Sequence, residues 1–380
     1  MNGTVLIRAW WACLVCAAVA IGPAAAQVLV VGQSTTLSGP QAGSGEPMRA
    51  GAKLYFDSVN AAGGVHGRKV HLISKDDQYK PELTEKHVAE LIEKDDAIVL
   101  LGGAGTANNE ALLRNGLLER AGIALVGPRT GGTALRRPFN PWMFHIRGSY
   151  ADEVTKAVEQ FTAIARKRIG IVYQNDNFGL DGLRAAELAL ARLGLKPEFL
   201  ASYERNSTEV KKAVEQAVQA GTPAILLLTT TGATAAFTAQ YKAAGGAGQL
   251  IGLSVNDLPA IVREIGVQAA RGLALTSVFP SPTRTDIPIV KEYRQALARF
   301  GAEDAAPSTT ALEGYIAARV IVEALRRAGP NPTRASVMKS LESFGRTDIG
   351  GFPVEFGPRV RGGSHYVDVT IVNRNGQVLR

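Results

Sequence analysis

DDAIVLLGGAGTANNEALLRNGLLERAGIALVGPRTGGTALRR, residues Asp95–Arg137, reads strand, glycine loop, helix, strand, glycine loop. Ala97–Leu101 is an apolar run of strand length. It empties into Gly102-Gly103-Ala104-Gly105-Thr106-Ala107-Asn108, and Glu110–Arg120 then takes up a helical period. Ile123–Val126 is a second such run, emptying into Gly127-Pro128-Arg129-Thr130-Gly131-Gly132. Neighbouring parallel strands that both end in small polar turns set bare N–H groups side by side at the carboxyl edge of a sheet. Open α/β sheets bind their ligands at that edge.

The same alternation extends in both directions. Upstream, Gln27–Thr35 is a nearly continuous apolar strand, as a parallel strand covered on both faces should be. A helix from Pro47 to Asn60, a strand over Lys69–Lys75 and a helix over Glu82–Glu93 with Pro81 at its first position follow. Downstream of Pro138-Phe139-Asn140-Pro141 the pattern restarts, with strands expected at Arg168–Tyr173, Glu198–Tyr203, Ala224–Thr229, Leu250–Leu253 and Leu273–Phe279. Helices at Ala151–Ala165, Leu180–Leu193, Glu209–Ala220 and Ala233–Ala244 separate the first four of these strands from what precedes or follows them. The last part changes character: three helices, Ile287–Phe300, Ser308–Ala328 and Thr333–Ser343, precede an expected hairpin of Val354–Phe356 with His365–Val372. Two α/β lobes follow, with the late helices crossing back to support the first and a cleft between them.

The N-terminus is a separate object. Arg8, an apolar stretch Ala9–Ile21, then Gly22-Pro23 and Ala24-Ala25-Ala26 have the make-up of a secretory signal peptide, with cleavage expected after Ala26. The competing reading, a retained anchor, needs a longer run than this, since a spanning helix takes about 20 apolar residues. Both cysteines, Cys13 and Cys16, lie inside that leader, so the mature chain has no thiol for a disulfide, a metal or a nucleophile. Losing Arg8 removes one charge from a chain of net +8, and the remaining Lys and Arg are interspersed with acids as on solvated faces. No basic stripe with interleaved aromatics suggests nucleic acid.

Catalytic and cofactor signatures fail on inspection. Gly103-Ala104-Gly105-Thr106-Ala107-Asn108 has Asn108 where a dinucleotide loop needs its third glycine, and Thr133 stands where a phosphate loop needs lysine. The histidines, His66, His71, His87, His145 and His365, are scattered, with no metalloprotease pair and no nucleophile elbow. Asp76-Asp77 at a strand end reads as capping, and Tyr79 as packing near the cleft. No enzyme activity, cofactor or metal is expected.

Leu37-Ser38-Gly39-Pro40, Asn60–Arg68 (NAAGGVHGR), Asp77-Gln78-Tyr79-Lys80-Pro81, the paired glycine loops, Tyr173–Gly179 (YQNDNFG) and Leu312-Glu313-Gly314-Tyr315 come in the order found in one family. The mature chain resembles the leucine/isoleucine/valine-binding proteins, periplasmic solute receptors of ABC transporters. The resemblance implies a type I periplasmic-binding fold, two Rossmann-like lobes with parallel sheets joined by three hinge strands near Arg147, Ser277 and Gly351. The first lobe would comprise 27–147 plus 278–352 and the second 148–277 plus 353–380. It further implies a periplasmic and monomeric receptor that closes on a small carboxylate, in the manner of a Venus flytrap, and docks on a membrane permease. A ligand-sensing regulator of the same fold is the alternative.

Position by position, the resemblance puts the ligand carboxylate against Gly105, Thr106 and Ala107 and against Thr130 and Gly131. Phe178 matches an aromatic wall; Thr230 or Thr231 and Ser44 stand where relatives have further aromatics. The residue matching the carboxylate that holds an amino acid's ammonium is Ser254, with Asp257 three positions on as a possible substitute. A buried ammonium without a carboxylate is costly. Branched-chain or other amino acids and amine-free aromatic or organic acids therefore all remain candidates.

Overall fold

A computed structural model describes residues 28–379, so the expected leader lies outside the described residues. The first half of the chain contributes β1 (Leu29–Thr35), α1 (Ala42–Ala61), β2 (Val70–Asp76), α2 (Pro81–Glu93), β3 (Val99–Leu101), α3 (Thr106–Arg114), α4 (Leu117–Ala121), β4 (Leu125–Val126) and β5 (Met143–Phe144). These strands form a sheet in the order β2-β1-β3-β4-β5, every neighbouring pair parallel. Alternation decides which face each residue covers. Val99 and Leu101 join one core with Met48 and Ala52 of α1, while Leu100 faces the opposite core with Leu91 and Leu112.

The next stretch comprises α5 (Tyr150–Ala163), β6 (Ile169–Gln174), α6 (Asn177–Ala191), β7 (Leu200–Tyr203), α7 (Lys211–Ala220), β8 (Ala224–Leu228), α8 (Thr231–Ala243), β9 (Gln249–Gly252), α9 (Leu258–Ala270) and β10 (Ala274–Ser277). The chain ends with α10 (Pro288–Phe300), α11 (Thr309–Arg327), α12 (Arg334–Glu342), β11 (Gly345–Asp348), β12 (Pro353–Phe356), β13 (Asp368–Val372) and β14 (Val378–Leu379). The second sheet runs β14-β13-β10-β9-β8-β6-β7, parallel from β7 to β10 and antiparallel beyond. Helices α10, α11 and α12 return to the first core, where Tyr293, Leu312, Ile316 and Val337 pack against β1 and β3. The result is the expected α/β architecture of two parallel-sheet lobes.

Two helix boundaries, one helix and one strand pairing differ from expectation. Helix α1 begins at Ala42 because the 3-10 turn Gly39–Gln41 hands directly on to it, so Ser44 lies in a buried first turn and Pro47 falls inside the helix. Helix α3 begins at Thr106, where Gly105 with φ +102° turns the chain, and it stops before the left-handed Gly116. Helix α9 was not expected; Asp257 caps it by accepting from Ala260 N at 3.0 Å. The expected hairpin is absent: β12 pairs antiparallel with β11, and β13 pairs instead with β10 and β14. The cause is packing, since Val354 and Phe356 point into the first core, with the Phe356 ring edge-on to Phe144 at 5.3 Å. The chain consequently reaches the second sheet at Asp368, past the boundary expected at 353.

The first crossover between lobes carries a pH-sensitive group. His145 is buried, its Nε2 3.3 Å from the Leu135 carbonyl, with Arg136 and Arg147 nearby. Burial first, and the two cations after it, push its imidazole well below the ordinary 6.5. A depressed histidine means the unfolded chain binds a proton that the folded chain refuses. Stability should therefore be complete above about pH 6.5 and decline as pH falls through that value, by at most about 1.4 kcal/mol per pH unit for one proton. Urea melts between pH 7.5 and 5.5 should show this slope in the natural protein and a flatter one in His145→Gln; identical slopes would acquit the histidine.

Candidate functional site

In both sheets the strand order reverses beside the first strand of the unit, between β1 and β3 and between β6 and β8. Loops leaving the carboxyl ends of strands on either side of such a point diverge and open a crevice. The loops after β1, β3 and β4 face those after β6, β8 and β9 across it. A small cavity lies between them, walled by Gln41, Ser44, Tyr79, Gly105, Tyr150, Phe178, Thr230 and Val255, with Arg129 beneath.

The glycine loops are joined side by side. Arg129 N donates to Gly103 O at 3.0 Å, and Ala104 bridges Arg129 in parallel. Thr106 Oγ1 and Thr130 Oγ1 lie 2.8 Å apart, and the Tyr150 phenol bonds to both. Burial pushes that phenol's pKa upward, so it stays a neutral donor. Tyr79 reaches the cavity through strained backbone: Gln78 and Tyr79 both have left-handed φ, +51° and +62°. Buried Asp77 holds this turn by accepting from Thr36 Oγ1 and Thr84 Oγ1, each at 2.9 Å, and from Tyr79 N at 3.0 Å. Asp76 likewise accepts from Leu37 N at 2.8 Å and from Gln78 N at 3.0 Å, so the acid pair is structural.

Hydrogen bonds cross the cleft directly. Gln41 Nε2 donates to Thr230 Oγ1, Ser44 Oγ donates to Val255 O at 3.3 Å, and Thr133 N donates to Asp181 at 3.1 Å. Arg205 of the second lobe stacks its guanidinium 3.8 Å over the Tyr79 ring, pairs with Asp176 and donates to Asn108 Oδ1 at 2.6 Å. These bonds define a closed cleft.

Beneath the cavity is a buried network of four charges. Arg129 pairs with Glu313, and Arg147 lies 3.3 Å from Glu313 and 3.6 Å from Glu153. Arg129 Nη2 also donates to Val255 O at 2.9 Å and Thr310 Oγ1 at 3.0 Å. Glu153 accepts Ser254 N at 2.8 Å and the Thr276 hydroxyl. Burial depresses the Arg129 pKa more than Glu313 restores it; at Arg147 burial acts the same way, but Glu313 and Glu153 outweigh it. Both guanidinia stay charged, because arginine is not deprotonated in proteins.

Of the sequence-predicted site residues, Ser44, Gly105, Phe178 and Thr230 wall the cavity. Thr106 and Thr130 stand one layer behind it, joined through Tyr150. Gly131 packs against the start of α5, its carbonyl accepting from Tyr150 N, and a Cβ there would meet that nitrogen at 2.4 Å. Ala107 lies in the first turn of α3, outside the cavity wall. Thr231 stands 3.5 Å from Ser44 at the start of α8. Ser254 receives a bond from Arg147 and, with Asp257, lines a separate cavity of about 390 Å³ behind the network. Asp257 spends one carboxylate oxygen on capping α9, and its Oδ2 is buried without a partner. That rear space is the larger, but neither glycine loop reaches it, so the smaller one carries the site chemistry. Gln41, Arg129, Tyr150 and Val255 were not foreseen; an arginine inside Gly127–Gly132 and an acid inside the apolar face of α11 were the available signals. Among the described residues, no group of His, Cys, Asp or Glu is arranged to hold a metal ion.

The profile of the periplasmic binding protein family matches residues 29–377. The chain belongs to the periplasmic binding protein family. A substrate-binding periplasmic protein from Ralstonia solanacearum is 40% identical, superimposes with a TM-score of 0.89, and the match covers 92% of this chain and 99% of that one. The valine-bound branched-chain amino acid ABC transporter protein of Thermus thermophilus shares the fold at a TM-score of 0.84 and 20% identity, over 93% and 95% of the two chains. Leu/Ile/Val-binding protein homolog 3 of Brucella melitensis is 23% identical over 86% of each chain. An amino acid binding protein of Pseudomonas aeruginosa is 22% identical over 49% of this chain, which spans half of that protein's length. Periplasmic binding proteins are solute receptors and not enzymes, in keeping with a cleft built from hydroxyls, ring faces and loop amides. Among the described residues no helix is long and apolar enough to cross a membrane.

Proposed function

We propose that this protein is the substrate receptor of an ABC importer, capturing a small carboxylate-bearing solute between its lobes and presenting the closed form to a membrane permease. The observation that carries this is the convergence of both glycine loops, with the Thr106–Thr130–Tyr150 hydroxyl cluster, on the crevice at the switch point. Hydroxyls and helix-start amides favour an anion without committing a full charge to it. Closure follows from contacts made only when the lobes meet, such as Arg205 on Tyr79. Residues 28–147 with 278–363 would move as one lobe and 150–277 with 368–379 as the other, in a periplasmic monomer.

A thermal-shift screen of amino acids, aromatic acids and small organic acids should find carboxylates that raise the midpoint, because a ligand that binds only the folded state stabilises it. If sugars or neutral amides shift it and no acid does, the loops have been misread. Thr106→Val and Thr130→Val should each weaken carboxylate binding by about 1–3 kcal/mol, through loss of the hydroxyl cluster that holds Tyr150 on the cavity wall. Calorimetric affinities unchanged in both variants would remove the pair from the site.

A further inference from the structure

The cavity wall leaves two buried polar atoms without partners, and they are of opposite kind. Arg129 is 1% exposed; its Nη1 is taken by Glu313 and its Nη2 by Val255 O and Thr310, but Nε has no partner. Gln41 is also 1% exposed; its Nε2 is spent on Thr230, and Oε1 has no partner. A buried donor and a buried acceptor left open cost free energy that a ligand recovers by meeting both. Acids are missing from this wall. Glu313 is engaged by two arginines, and Asp257 caps α9 and lines the rear cavity. An ammonium here would lie beside the Arg129 guanidinium with no carboxylate in the cavity wall, which disfavours the charged form. A hydroxyl satisfies Gln41 Oε1 without a charge.

We propose that the cleft selects an amine-free hydroxy acid, its carboxylate on Arg129 Nε and its hydroxyl on Gln41 Oε1, with a flat or branched apolar body against Tyr79, Tyr150 and Phe178. This rests on the carboxylate-receptor reading and makes Arg129 and Gln41 the residues that set specificity. Tyr150 and Phe178, with ring centroids 5.1 Å apart and tilted by 58°, give the apolar body two faces to lie on.

Matched triples decide it by calorimetry on the whole mature protein: 2-hydroxyisocaproate, isocaproate and leucine, and 3-phenyllactate, 3-phenylpropanoate and phenylalanine. In at least one triple the hydroxy acid should bind about tenfold or more tighter than the amino acid, and tighter than the deoxy acid. Gln41→Met should bring the hydroxy acid down to the deoxy acid, with its thermal melt confirming the fold. An amino acid that binds as tightly as its hydroxy analogue overturns the proposal while leaving the receptor reading in place. Equal binding of hydroxy and deoxy acids overturns the role of Gln41. Failure of all six to bind overturns the carboxylate reading and this proposal together.

Discussion

Glu313→Gln is expected to lower the unfolding free energy by about 3–5 kcal/mol, the usual cost of leaving a buried charge uncompensated. Glu313 faces Arg129 with one oxygen and Arg147 with the other, and all three side chains are at most 1% exposed. Removing its charge leaves two guanidinia that cannot shed protons, with Glu153 at 3.6 Å from Arg147 as the remaining close acid. Neutralising Arg129 as well should restore part of the loss: Arg129→Met with Glu313→Gln leaves the balanced Arg147–Glu153 pair. Urea unfolding of both variants measures this, and a loss below about 1 kcal/mol in Glu313→Gln would mean that water or a neighbouring acid compensates the arginines. Arg129 also reaches the carbonyls of Ser254 and Val255 in the other lobe, so its charge supports the closed cleft as well as the core.

Gly314→Ala is the second large effect, and its sign runs against helix propensity. Glycine to alanine in an exposed helix interior stabilises by up to about 1 kcal/mol. At Gly314, however, a Cβ would lie 1.9 Å from Met48 O, and at Gly51 a Cβ would lie 1.8 Å from Ala311 O. Helices α1 and α11 meet backbone to backbone through these two positions, and backbone cannot rotate out of the way. Separating the helices would loosen Met48, Ala52 and Leu312 in the first core. Overpacking of this kind costs about 1–3 kcal/mol or more, so the net result is a loss of about 2 kcal/mol. A denaturant midpoint that stays or rises in Gly314→Ala would show that the helices are free to part. Gly51→Ala should act alike, and the double variant should lose less than the two combined, since one separation relieves both clashes.

Much of the fold was legible because parallel strands covered on both faces read as short apolar runs, and Val31, Leu101, Val126 and Leu226 are indeed fully buried. Helix α9 escaped notice because its 13 residues are interrupted by Gly266 in a non-helical conformation, which breaks the period. Strand β11 escaped because Gly345-Arg346-Thr347-Asp348 has no apolar alternation; it exists because Phe356 of its partner is anchored in the first core. The site was half legible. Gly105 is set by backbone conformation, which sequence displays directly as a glycine, whereas Gln41, Arg129 and Tyr150 look like any other polar loop or helix-start residues.

By itself the sequence determined the α/β alternation and the paired glycine loops, because these depend on local backbone preference and on apolar period. Tertiary structure alone decided that Arg129 meets Glu313, 184 residues away, and that Ser254 and Asp257 line the rear cavity. It likewise decided that Gln41 and Arg129 are left with one open atom each. Such matters are set by which groups lose their water together. That depends on how the two lobes close, and no local pattern of residues encodes it.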